Sequence, residues 1–127
     1  AAICQQSFPL VVATDFTEAG VQLLDANKEH NRSAIGAMRC ARLDVSENDA
    51  LAKLLIAETA HAVVPLRRAC ICACDMSYDE DAIENLFASA RTAAATFRLQ
   101  VWFARSSNFE HMDQHTNAVS SRHGFTL

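Results

Sequence analysis

Short apolar runs alternate along this chain with stretches whose apolar residues recur every three or four positions, the two periods that mark strands and helices. Phe8 to Thr14 is a compact apolar run containing Val11 and Val12; it ends on Asp15 and predicts a buried strand. Thr17 opens a predicted helix that carries Ala19, Val21, Leu23 and Leu24 to about His30, with Gly20 weakening it slightly. Ala37 to Val45 predicts a second strand with Met38, Cys40 and Leu43 as its apolar members. Ser46-Glu47-Asn48-Asp49 has the form of a capping box, and Leu51, Leu54, Leu55 and Glu58 follow at helical spacing, so a helix is predicted from about Glu47 to Thr59. Ala62 to Leu66 predicts a third strand cut short by Pro65, and Ala69 to Met76 a fourth. Ser77-Tyr78-Asp79-Glu80 is a second capping box, and Ile83, Leu86, Phe87, Ala90 and Ala94 make an apolar stripe up to about Ala95. Arg98 to Ala104 alternates, with Leu99, Val101 and Phe103 on one face, and predicts a fifth strand.

Strands separated by helices of this length predict parallel pairing through right-handed crossovers. The expected fold is α/β: a three-layer Rossmann-like sandwich over residues 1–105 with a mostly parallel sheet of about five strands. Residues 106–127 read as a polar C-terminal tail or short helix. Ligands of such sheets bind beyond the carboxyl ends of the strands, where Asp15, Asp44 and Asp75 would gather with Ser46 and Ser77. Asp and Ser are also the ordinary caps of a helix that follows a strand, which competes with any binding role for them.

At 127 residues and 50% hydrophobic, the chain suits one domain with an ordinary core. Its formal net charge is −4 and its basic residues are scattered, so nucleic acid is not expected as a partner. No apolar run approaches the roughly 20 residues of a membrane helix, and AAICQQS lacks the charged start and apolar centre of a signal peptide. A soluble chain is expected. It begins without Met, which leaves a processed precursor or an excised fragment open. Five cysteines, Cys4, Cys40, Cys70, Cys72 and Cys74, do not form a secreted disulfide pattern. An intracellular, reducing compartment is expected, cytoplasm or organelle interior. On a strand, Cys70, Cys72 and Cys74 would share one face, with Ile71 and Ala73 on the other. C-x-C-x-C is not the C-x-x-C spacing of a zinc turn, so these cysteines read first as small buried hydrophobes.

A dinucleotide fold needs a glycine-rich loop after its first strand, and Gly20, Gly36 and Gly124 are not spaced to form one. VVATD, the helix after it, RLDVSENDALAKLL, HAVV and RRACICACDMSYDEDAIENLFASARTAAATF nonetheless resemble consecutive pieces of the NAD(P)-binding domain of saccharopine-dehydrogenase-like proteins. The resemblance begins at that domain's second strand and covers residues 10–97. It implies a Rossmann domain in which Asp15 selects the adenosine ribose of NAD(P) and Asp44 and Val45 border the adenine. A second stretch, PLVVATDFTEAGVQLL, resembles the opening of universal-stress proteins, which implies an acid near bound adenine nucleotide, again Asp15.

Other chemistry is sparse. His111-x-x-x-His115, with Asp113 between and His123 nearby, has i, i+4 spacing, but the H-E-x-x-H glutamate is missing and no metal is expected. Nothing in the sequence sets His61 beside a particular cysteine for nucleophilic catalysis, and Tyr78 reads as packing on the helix it precedes. No nucleophile elbow, P-loop or EF-hand loop is present. The favoured reading is a non-catalytic Rossmann-like module, a structural or interaction subunit with other protein chains as partners and no cofactor. The alternative is a nucleotide-binding domain for NAD(P) or an adenine nucleotide, in which Asp15 holds a ribose and the helix start at Thr17 receives a phosphate.

Overall fold

The computed structural model of the chain describes residues 10–32, 38–60, 67–74, 79–104 and 110–126, without the side chains of residues 104 and 110–112. In chain order they form β1 (Val11–Asp15), α1 (Glu18–His30), β2 (Met38–Arg42), α2 (Ala50–Thr59), β3 (Arg68–Cys74), α3 (Glu80–Ala93), β4 (Arg98–Ala104) and α4 (Glu110–Arg122). The chain divides into two compact units, Ala1–Asp44 and Val45–Leu127.

The first unit is a β-α-β turn of chain. β1 and β2 pair in parallel, from Val11 opposite Met38 to Asp15 opposite Arg42, and α1 connects them. Thr17 caps α1 by accepting the Gly20 N–H at 3.0 Å, while Lys28 and His30 in the last turn complement the negative end of the helix dipole. No residue of α1 is fully buried. Its sequence carries polar residues all round, so it covers the sheet without sinking into a core.

The second unit repeats the pattern. β3 and β4 pair in parallel with α3 between them, from Arg68 opposite Arg98 to Cys74 opposite Ala104. The side chain of Asp79 starts α3 by accepting the Ala82 N–H at 3.1 Å, two residues after the Ser77 cap that the sequence suggests; Ser77 itself lies outside the described residues. Ile83, Leu86, Phe87 and Ala90 are buried as the stripe predicts, and Ser89 and Ala93 join them. The core centres on Ile83, Phe87 and Val119, with Val101, Phe103 and Phe125 packed against it. The Phe87 ring lies 6.4 Å from that of Phe103 and 5.7 Å from that of Phe125, within the range of favourable aromatic pairs.

α4 grows from the polar segment after β4. Thr116, Val119 and Ser120 are the fully buried positions among its described side chains. Its end is a Schellman turn: the Phe125 N–H reaches Ser120 O at 2.8 Å, the Gly124 N–H reaches Ser121 O at 3.0 Å, and Gly124 sits at φ 82°. That turn carries Phe125 back onto Phe87.

The predicted five-stranded Rossmann-like sandwich is not what forms. Among the described residues there are four helices and two separate two-stranded parallel sheets, β1 with β2 and β3 with β4. The period of a segment fixes whether it is strand or helix, and a crossover helix joining neighbouring strands favours parallel pairing. Which β-α-β unit then pairs with which is a long-range matter that local pattern does not specify. The predicted strand Ala62–Leu66 lies outside the described residues. The capping box at Ser46 does not start α2 either. Residues 45–49 turn first, and the helix begins at Ala50, where Asp49 makes no side-chain cap and pairs with Lys53 at 2.8 Å. Among the described residues no helix is long and apolar enough to cross a membrane.

Candidate functional site

Parallel pairing brings the carboxyl ends of β1 and β2 side by side, and Asp15, Thr17, Arg42 and Asp44 collect there. Asp15 Oδ1 accepts both the Thr17 N–H and the Thr17 hydroxyl, each at 2.8 Å. The same hydroxyl accepts the Gly20 N–H, so a relay runs from the first turn of α1 through Thr17 to the Asp15 carboxylate. Donation from the Thr17 backbone and then from its hydroxyl holds the Asp15 carboxyl below the usual carboxylate range. A Cβ at Gly20 would collide with the Asp15 carboxylate, which therefore lies directly on the helix start. Arg42, opposite Asp15 in the ladder, donates from Nε to Phe16 O at 2.9 Å and lies 3.6 Å from Asp44. The Leu43 N–H extends the ladder to Asp15 O at 2.9 Å.

Three of the four residues named from the sequence as nucleotide contacts, Asp15, Thr17 and Asp44, thus stand at one sheet edge, and Asp75 lies outside the described residues. Val45 is half-buried and opens the turn before α2. The sequence did not point to Arg42 or Gly20. Arg42 stands out only once the register with Asp15 is known, and Gly20 only once the carboxylate is placed over it. Chemically, the edge presents a carboxylate on a helix N-terminus, the place a phosphate would take. A phosphate arriving there would meet a negative charge that the Thr17 donors already stabilise.

A different surface emerges on the second unit. The face of β3 and β4 turned from the core carries Arg68, Cys70, Cys72 and Cys74 on one strand and Arg98, Gln100 and Trp102 on the other, in register. Ala73 is buried on the opposite face, so the predicted separation of the cysteines from Ile71 and Ala73 holds. The cysteines are not buried hydrophobes, however. Cys72 and Cys74 are exposed, Cys70 is half-buried, and none of the three is in a disulfide. The core takes the Ala and Ile face of β3 because the aromatic and branched side chains of β4, Val101 and Phe103, point there. Trp102, 66% exposed, stands directly opposite Cys72.

His123 Nε2 meets Glu84 Oε1 at 2.7 Å, Arg122 reaches Glu84 Oε2 at 3.1 Å, and Arg91 donates to His123 O at 3.1 Å. The His123 hydrogen bond first, with help from the positive charge of Arg122, holds the Glu84 carboxyl below the usual range. His115 Nε2 is buried and meets no hydrogen-bond partner among the described residues, and the His111 side chain lies outside them. Among the described residues no three or more His, Cys, Asp or Glu side chains come together as a metal cluster. Burial, aided by a hydrogen bond to Asp25, pushes the Cys40 thiol up.

No protein-family model, no curated protein and no solved structure matches this chain, so the likeness to saccharopine-dehydrogenase-like domains rests on the quoted residues alone.

Proposed function

We propose that this chain is a non-catalytic α/β interaction module that docks a segment of another protein on the outward face of β3 and β4. The observation that carries the reading is Trp102, 66% exposed on a regular strand. A lone exposed apolar side chain is ordinary. A tryptophan on a sheet face is different, because it offers a large rigid contact at low entropic cost and is among the residues that dominate protein interfaces. Exposed Arg68 and Arg98 stand side by side at the start of the two strands, on the same face. A partner segment with acidic residues beside an apolar anchor would complement that arrangement.

The geometry at Asp15 weighs against the nucleotide alternative, because the chain's own carboxylate sits where the phosphate would go. The test has two arms. Quantitative affinity capture with the wild-type chain, Trp102→Asp and the control Leu23→Asp should show one set of proteins retained by the control and lost by the tryptophan variant. Equal capture by all three would sink the docking reading. In parallel, a thermal-shift titration with NAD, NADP, ATP and AMP should give no stabilisation. A shift with one nucleotide that vanishes in Asp15→Ala would replace this reading with the nucleotide one.

A further inference from the structure

The sulfurs of Cys70 and Cys72 lie 4.0 Å apart on the outward face of β3. Strand positions two apart are separated by roughly 6.6 Å, so the two side chains lean toward one another. A disulfide would need the sulfurs at about 2.05 Å, far closer than they stand, and neither cysteine is in a disulfide. At that separation one thiol donates a weak hydrogen bond to the other, and the same separation is open to a bridging metal ion. Taking the zinc–thiolate length of about 2.3 Å as a guide, two metal–thiolate bonds span about 3.8 Å at a tetrahedral angle and about 4.6 Å in a straight line. The observed 4.0 Å falls between them.

We propose that Cys70 and Cys72 form a two-thiolate site for a soft monovalent metal ion, Cu(I). Thiolate is the ligand such an ion selects. A structural zinc site needs four ligands, and no cluster of three or more is assembled among the described residues. On binding, each thiol gives its proton to solvent and each sulfur forms one bond to the ion. Two protons leave, no electron is transferred, and the S–Cu–S unit carries one negative charge. Arg68, one strand step before Cys70 on the same face, and Arg98 beside it in register bring positive charge to that unit. Cys72 is exposed, so the ion can enter and leave directly from solvent or from a donor thiol. Cys74, one step further along the strand, is left out because its sulfur would have to reach a second step to join the pair. The inference does not depend on the docking reading: it rests on the sulfur separation and would stand if no protein partner existed.

The test titrates the full reduced chain anaerobically with Cu(I) against a coloured Cu(I) chelator, reading the fluorescence of Trp102, the chain's single tryptophan and the register partner of Cys72. One ion per chain should be withdrawn from the chelator, with quenching complete at one equivalent. Cys70→Ser and Cys72→Ser should each weaken binding by more than the roughly 10- to 100-fold that outer-shell changes cost. Cys4→Ser, Cys40→Ser and Cys74→Ser should match wild type. X-ray absorption on the wild-type complex should find two sulfur neighbours per copper, a measurement that needs no variant to fold. No uptake by the wild-type chain, unchanged affinity in either Cys70→Ser or Cys72→Ser, or three or more sulfurs per copper would each overturn the assignment.

Discussion

Trp102 and Phe103 are neighbours on β4 with opposite surroundings, and replacing each by alanine tests whether the two faces of the β3–β4 sheet are assigned correctly. Phe103 stacks on Phe87 at 6.4 Å and is half-buried against the core; Trp102 is 66% exposed. Truncating a fully packed phenylalanine costs about 3–5 kcal/mol. Partial burial should bring Phe103→Ala to about 2–3 kcal/mol, part of it the ring pair with Phe87. Trp102→Ala removes a larger side chain yet should cost only about 1 kcal/mol, because only about a third of its area leaves water on folding. Urea unfolding followed by far-UV circular dichroism reads both variants without relying on tryptophan. With a slope of about 1–3 kcal/mol per molar urea, the midpoint should fall by roughly 0.7 to 3 M for Phe103→Ala and by about a third to a half of that for Trp102→Ala. Phe87→Ala, fully buried, should fall further than either. A midpoint for Trp102→Ala as low as that of Phe103→Ala would show that the outward face is packed, and would remove the basis for the docking surface.

Gly124 occupies a left-handed position at the end of α4, where a Cβ would meet only Arg91 Nη1 at 3.5 Å. Gly124→Ala should therefore cost about 1 kcal/mol from backbone conformation alone, read by the same urea titration. The Glu84 carboxyl is held low by His123 and Arg122, so its stabilisation is present above the usual carboxylate range and lost as pH falls through its lowered folded-state value. Unfolding midpoints measured between about pH 5 and pH 3 should fall less steeply for Glu84→Gln than for wild type; identical slopes would contradict the pairing. Iodoacetamide should label the exposed Cys72 and Cys74 first and Cys40 last, since burial keeps that thiol protonated and screened. Peptide mass spectrometry over time gives the order, and early labelling of Cys40 would count against the structure of the first unit.

The elements themselves were legible because each depends on its own residues. The 3.6-residue stripe of Ile83, Leu86, Phe87 and Ala90 and the alternation of Leu99, Val101 and Phe103 decided helix, strand and inward face before any contact was known. The clustering of Asp15 and Asp44 at one edge was legible too, because parallel β-α-β chains bring carboxyl ends together. Three matters were left to tertiary structure. Which strands pair depends on contacts far apart in sequence, and two two-stranded sheets formed where one sheet was expected. The ionic role of Asp15 depends on its distance to Thr17, because an acid that could hold a ribose is equally able to accept its own chain's N–H groups. The exposure of Cys72 and Cys74 depends on which side of β3 the core of α3 and α4 occupies. Small apolar side chains stand on both of its faces, so its own sequence is neutral between them, and the packing of Phe103 and Phe87 from neighbouring elements decides.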